Sequence, residues 1–145
     1  DGPNILHFPS YDGNGMYKSM GNVSETGKVG LLFIDFETPN RVRVQGTATV
    51  CDDAALIAHW PGAKLAVTVT VEQVFLNCAR YIHKHTRREA SPYVPDAEGH
   101  QPHPSWKRID AVQPALDDAE RAKTQEEGGT IDFDGYARKL MEGRS

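Results

Sequence analysis

The chain has 145 residues and a formal net charge of -4, which suits one ordinary domain with a single hydrophobic core. It has no dense block of Lys and Arg, which argues against general nucleic-acid binding. No apolar run approaches the length of a membrane span and no signal segment opens the chain, so we expect a cytoplasmic protein without a membrane partner.

The first half of the chain predicts strands around one short helix. A short apolar run at 5–8, closed by a proline, predicts a strand. The glycine segment, residues 11–22, follows it, and a brief helix is expected over 16–23. The nearly continuous apolar run at 29–34 predicts a strand buried on both faces.

Two alternating segments follow. In 41–50 the even positions are apolar or small and the odd positions are polar, so one face is expected on a core and the other against water or a ligand. Residues 64–72 alternate in the same way, and the strand is expected to continue to 76. Between them, Asp52 and Asp53 predict the cap of a helix over 54–60. These elements predict a mainly β fold: a small antiparallel barrel or, as the alternative, an open antiparallel sheet.

The last part of the chain has a different composition. Residues 86–105 are rich in proline, histidine and charge, which predicts an extended surface or interface segment. Helices are expected over 114–126 and 133–142. The two cysteines, Cys51 and Cys78, are too few for a disulfide framework, and we expect both to be reduced and buried.

The glycine segment is either a plain turn or a phosphate site. Gly13 and Gly15 permit positive φ, so successive backbone N–H groups can converge on an anion. A helix starting near Met16 adds its N-terminal dipole, Lys18 adds a cation and Ser19 a hydroxyl. The glycine spacing differs from a Walker A loop. Taken alone, these residues favour the turn.

Two further groups of residues are candidates for ligand contacts. Arg41, Arg43 and Gln45 share one face of a strand and suit a phosphate or a ring carbonyl, although a solvated strand face is the simpler interpretation. Arg80, Tyr81 and His83 are candidates for a substrate pocket, with His83 as an acid–base group. The histidines lack partners at metal-ligand spacing, so no metal site is expected.

Several stretches together resemble the pyridoxamine 5'-phosphate oxidase-like family of FMN-binding split β-barrels. They occur in the family's order and span about residues 4–85. These stretches are 8–19, 29–33, 40–46 and 74–83, the last resembling an uncharacterised flavin-binding branch.

The resemblance implies a six-stranded antiparallel split β-barrel, a homodimer and two FMN sites at the interface. The family's phosphate-binding Arg-Lys pair falls on Lys18 and Ser19, and its Gln near the flavin ring falls on Arg41. The cofactor-binding residues expected on this basis are Gly15, Tyr17, Lys18, Ser19, Asn22, Arg41 and Gln45.

The resemblance also predicts the domain organisation and the activity. Residues 1–111 are expected to form an FMN-binding split-barrel domain that lacks the family's N-terminal hairpin, and 112–145 a helical tail. The expected function is a flavin-dependent oxidoreductase acting on an unidentified small molecule. The alternative is a non-catalytic flavin- or heme-binding split-barrel dimer. Pyridoxamine phosphate oxidase activity is not expected, because its C-terminal Trp and Arg have no counterparts here.

Overall fold

A computed structural model describes residues 2–143. The chain divides into two compact units, one ending at His100 and the other starting at Gln101. The division comes before the boundary predicted after residue 111. Two 3-10 helices, Ser105–Arg108 and Asp110–Ala115, account for the difference, since both belong to the second unit.

The first unit is a four-stranded antiparallel sheet with two helices. In chain order its elements are β1 (Ile5–Ser10), α1 (Lys18–Thr26), β2 (Lys28–Asp35), β3 (Asn40–Cys51), α2 (Ala54–Ile57) and β4 (Leu65–Leu76). The strand order is β1-β4-β3-β2, and every pair is antiparallel. The sheet curls into a half-barrel. This confirms the predicted mainly β, antiparallel split-barrel class, with four of the six implied strands among the described residues.

The core lies where α1 packs on the middle of the sheet. Val23 of α1 meets Ala48 of β3 and Val67 and Val69 of β4, and these last two valines have no exposed surface. The predicted alternation of β3 is confirmed here, because Ala48 is buried while Thr49 is exposed. Apolar burial of this kind, at about 25 cal/mol per Å², is what fixes α1 against the sheet.

The prediction that the strand at 29–34 is buried on both faces is wrong. β2 is an edge strand, and Leu32 and Phe33 are 45% and 49% exposed. β1 covers β4 only as far as Thr70, so the rest of β4 also lacks an outer neighbour among the described residues. The result is a projecting apolar surface, which we call the apolar arm. It comprises Leu32, Phe33, Ile34, Phe36, Val74, Phe75 and Leu76.

Two local predictions have opposite outcomes. Asp53 is the N-cap of α2, and its Oδ1 accepts a hydrogen bond from the Ala55 N–H at 2.9 Å, as predicted. Both cysteines are free, but Cys78 is exposed and Cys51 only partly buried. The expectation of buried thiols is wrong for Cys78 because it follows the uncovered end of β4.

The second unit is built from short helices. After the two 3-10 helices come α3 (Asp118–Glu126) and α4 (Phe133–Met141), each with an aspartate N-cap. A parallel bridge between Ile109 and Ile131 ties the chain before α3 to the chain after it. Helices α3 and α4 confirm the two predicted C-terminal helices. Within the part of the chain described, no helix has the length and apolar character to cross a membrane.

Candidate anion-binding cleft and distal polar cluster

The glycine segment and the start of α1 enclose a cleft of about 290 Å³. It lies where β1 ends and α1 begins. The cleft brings together four of the residues predicted to bind a cofactor: Gly15, Tyr17, Lys18 and Ser19. Its other lining residues are Ser10, Tyr11, Gly13, Asn14 and Met20.

The backbone at the start of α1 is shaped by two residues with positive φ. Gly15 has φ 71°, and Tyr17 has φ 46°, which is uncommon for a side chain of that size. Tyr17 occupies the N-cap position, and no side chain caps the helix. The N–H groups of the first turn therefore have no capping side chain, and the positive end of the helix dipole faces the cleft.

The sequence reasoning missed Asp12 and Asn14. The Gly15 N–H donates to Oδ1 of Asp12 at 3.2 Å, and the Met16 N–H donates to Oδ1 of Asn14 at 3.1 Å. Two N–H groups within the predicted anion nest are thus engaged by the segment's own side chains. The signal was present, since Asp and Asn commonly bind backbone N–H groups two or three residues ahead. The donors that remain for a ligand are those of the first turn of α1.

Lys18 and Ser19 supply the charged and hydroxyl groups of the cleft. Both side chains are exposed, so each can turn towards a bound anion. Asn22 lies four residues after Lys18 and is also exposed, so the two share one face of α1. Asn22 is not among the residues that line the cleft.

The other predicted cofactor contacts lie elsewhere on the sheet. The cleft is at the Cys51 end of β3, since Ser10 pairs with Leu65 next to the Ala66–Cys51 pair. Arg41 is at the opposite end, about 33 Å from Cys51 measured along the strand at 3.3 Å per residue. Gln45 is midway and lines a different cleft of about 330 Å³. Within one chain, Arg41 and Lys18 do not share a site.

Arg41 belongs to a distal polar cluster with Asn77 and Cys78. Its Nη2 donates to the carbonyl oxygen of Cys78 at 2.6 Å, and the Asn77 N–H donates to the Arg41 carbonyl at 2.9 Å. Two buried atoms in this cluster, Arg41 Nε and Asn77 Oδ1, make no hydrogen bond with the residues described. A buried donor or acceptor without a partner costs about 1–3 kcal/mol, so the cluster suits a ligand or partner with a matching edge.

The three candidates for a substrate pocket follow β4 on an irregular segment. Arg80, Tyr81 and His83 are all exposed, Tyr81 to 87%. The segment is held at His85, whose N–H donates to the Phe36 carbonyl at 3.0 Å and whose ring meets the Phe36 ring edge-on. A cleft of about 550 Å³ lies beside this contact.

One cluster of metal-type ligands was not predicted. Asp96, Glu98 and His100 bring one ligand atom each within 4.8 Å of the others, and all three residues are exposed. Hydrogen bonds from backbone N–H groups, first that of His100, lower the pKa of the Asp96 carboxyl. The cluster is a local turn in which Asp96 binds the N–H groups of Glu98 and His100.

No protein-family model matches the chain, and no curated protein matches it. Among solved structures, the chain is similar to HupZ of Group A Streptococcus carrying a V5 tag and a hexahistidine tag, at 16% identity and a TM-score of 0.44 over 59% of this chain and 70% of that one. A histidine-to-alanine variant of the same tagged protein gives 18% identity and a TM-score of 0.44 over 52% and 69%. A similarity of this size carries no information on function.

Proposed function

We propose that the chain binds FMN with its phosphate in the cleft at the start of α1, and that it acts as a flavin-dependent oxidoreductase on a small molecule. The observation that carries the proposal is the N-terminus of α1, which no side chain caps and which opens on a cleft beside Lys18 and Ser19. Uncapped N–H groups, a helix dipole and a cation together favour a phosphate.

The size of the cleft suits the phosphate end of FMN but not the whole cofactor. At about 290 Å³ it is at the lower limit of the roughly 300–1,000 Å³ of small-molecule sites. It has room for a phosphate and part of a ribityl chain. The isoalloxazine ring would then extend beyond the cleft, where other groups must hold it.

We infer that a second copy of the chain supplies those groups. The cleft and Arg41 lie at opposite ends of β3, so one copy presents the two parts of the predicted cofactor site separately. The apolar arm adjoins Arg41, and an exposed apolar surface of this kind is typical of a protein interface. In a homodimer that packs the arm of one copy beside the cleft of the other, Arg41 of the first copy would lie towards the FMN held by its partner, and its Nε would be available to a flavin oxygen.

The chain's own residues bind and orient the cofactor in this proposal. Lys18 neutralises the phosphate charge, Ser19 donates a hydrogen bond to it, and Tyr17 forms the wall of the cleft. When bound, the flavin supplies the redox chemistry. No side chain is required as a nucleophile. The candidates for contacting the small molecule, on the irregular segment after β4, are Arg80, Tyr81 and His83.

A non-catalytic split-barrel dimer that binds a flavin or heme is the second candidate. For a ligand held outside the cleft it is favoured by the Asp12 carboxylate, which accepts the Gly15 N–H at 3.2 Å and places negative charge near the proposed phosphate. A phosphate in the cleft must overcome that repulsion through Lys18 and the helix dipole.

Titration with FMN and with riboflavin, which lacks the phosphate, tests the proposal. We expect FMN to bind at least about tenfold more tightly, equivalent to ~1.4 kcal/mol, because only FMN reaches the first turn of α1. Turnover of reduced nicotinamide by the FMN-loaded protein would support the enzyme. Binding of FMN without turnover favours the non-catalytic candidate, as does a heme spectrum in place of a flavin one. No binding of FMN would overturn the proposal.

A further inference from the structure

The tip of the β2–β3 hairpin borders a cleft that the proposed function does not use. Its volume is about 550 Å³, which lies within the roughly 300–1,000 Å³ of small-molecule sites. One wall is the hairpin tip, residues 34–37, and the other is the irregular segment at 85–87. We call this space the hairpin cleft.

Hydrogen bonds and a ring contact hold the two walls of the hairpin cleft in place. Oδ1 of Asp35 accepts hydrogen bonds from the N–H groups of Glu37 at 2.9 Å and Thr38 at 3.1 Å, which closes the hairpin tip. The His85 N–H donates to the Phe36 carbonyl at 3.0 Å, and the two rings meet edge-on with their centroids 5.6 Å apart. The cleft is therefore formed before a ligand arrives, which lowers the cost of binding.

The two walls carry opposite charges. The hairpin wall has the carboxylates of Asp35 and Glu37, and the other wall has the guanidinium of Arg87. Within the part of the chain described, the side chains of Glu37 and Arg87 form neither an ion pair nor a hydrogen bond. The hydrogen bonds of Asp35 use Oδ1 alone, which leaves Oδ2 available. Both signs of charge therefore line one small space without neutralising each other.

The hairpin cleft also has an apolar part. Ile34 and Phe36 line it and are 36% and 48% exposed. An apolar ligand body that covers these side chains removes them from water, which favours binding. Both residues also belong to the apolar arm, so the cleft borders the face proposed to meet a second copy.

We propose that the hairpin cleft binds a free amino acid with an apolar side chain. The ammonium group of the ligand binds the carboxylates of the hairpin wall, and its carboxylate binds Arg87 through two parallel hydrogen bonds. The ligand's side chain packs on Phe36. A zwitterion supplies a counter-charge to each wall at once, which a simple cation or anion does not. The site is defined without FMN, so its test stands whether or not the chain binds a flavin.

Four probe ligands separate the three contacts. Phenylalanine carries both charges and an apolar body. Phenethylamine lacks the carboxylate, 3-phenylpropanoate lacks the ammonium group, and glycine keeps both charges but lacks the apolar body. Each probe is titrated into the full chain, and binding is followed by the NMR shifts of the backbone amides at 34–37 and 85–87. This measurement reports on the cleft in a single chain and in a dimer alike.

We expect phenylalanine to bind about three- to tenfold more tightly than each of the other probes, because each of them loses one contact of an exposed site. Equal affinities for the three phenyl compounds would show that the charges take no part. Tighter binding of phenethylamine than of phenylalanine would show a cation site instead. Either result, or unchanged amide shifts with all four probes, would overturn the proposal.

Two variants assign the charged contacts to their walls. Arg87→Gln should remove the preference for phenylalanine over phenethylamine, and Glu37→Gln should reduce the preference for phenylalanine over 3-phenylpropanoate. Arg88→Gln and Glu89→Gln are the matched controls, because they make the same changes of charge at neighbouring exposed positions that do not line the cleft. Both controls should keep both preferences. A full preference over phenethylamine in Arg87→Gln would overturn the proposed carboxylate contact and with it the zwitterion site.

Discussion

Replacing Gly46 with alanine should strongly destabilise the first unit. Gly46 is buried in β3 at the only register shift between β3 and β4 among the described residues, next to Gln45. An added Cβ would collide with the carbonyl oxygen of Thr70. The same Cβ would lie 3.0 Å from the carbonyl carbon of Thr70 and 3.1 Å from Cγ1 of Val69. Thr70 pairs with β1 on one side and β3 on the other, so its backbone cannot withdraw without loss of ladder hydrogen bonds.

The expected loss of stability follows from the collision and from the lost ladder hydrogen bonds. Overpacking a core costs about 1–3 kcal/mol, and each lost ladder hydrogen bond adds about 0.5–1.5 kcal/mol. We therefore expect the free energy of unfolding to fall by about 2–4 kcal/mol, a large share of the roughly 5–15 kcal/mol of a typical domain.

Urea unfolding followed by Trp60 fluorescence is the assay, in a Trp106→Phe background so that only the first unit reports. Gly30→Ala is the matched control, because Gly30 lies opposite the same bulge on β2 and an added Cβ there meets nothing within 4 Å. The control should be neutral or slightly stabilising. If the two variants unfold within about 0.5 kcal/mol of each other, which is an ordinary surface effect, the bulge does not require glycine and the reasoning is refuted.

Two further predictions concern the elements that hold the cleft and its surroundings. Asp53→Ala removes the cap of α2 and should lower the free energy of unfolding by about 1 kcal/mol. Asp52→Ala, at the neighbouring position, is the control and should lower it little. Equal losses of stability in urea unfolding would contradict the capping role. Val23→Ala leaves a cavity between α1 and the sheet and should lower the free energy of unfolding by about 2 kcal/mol. Ser24→Ala on the exposed side of α1 is its control, and a Val23 variant as stable as that control would show that α1 does not depend on this contact.

The strands of the sheet were predictable because their pattern is local. In β3 the small and apolar residues recur at every second position, and Val44, Gly46 and Ala48 are all buried. The capping role of Asp53 was equally predictable, since a cap depends only on its near neighbours. The glycine segment was expected to be either a turn or a phosphate site; most of its residues line one cleft, and phosphate binding there stays a prediction.

What the sequence could not predict depends on contacts between distant parts of the chain. The apolar run of β2 predicts burial, but its exposure is decided by strand order, which leaves β2 at an edge. The separation of Arg41 from Lys18 likewise depends on which ends of β1 and β3 lie together. In the second unit, His103 and Thr124 are within hydrogen-bond distance although 21 positions separate them in the chain, and no periodic pattern extends that far.

The most direct test of the FMN proposal is a thermodynamic cycle on Lys18 and the phosphate. The affinities of FMN and riboflavin are measured for the native chain and for Lys18→Ala, with Lys28→Ala as a control that keeps the same change in net charge. We expect Lys18→Ala to weaken FMN binding about tenfold, equivalent to ~1.4 kcal/mol, to leave riboflavin binding unchanged, and Lys28→Ala to affect neither. An equal loss for both ligands, or no loss of FMN binding, would contradict a phosphate site at the start of α1.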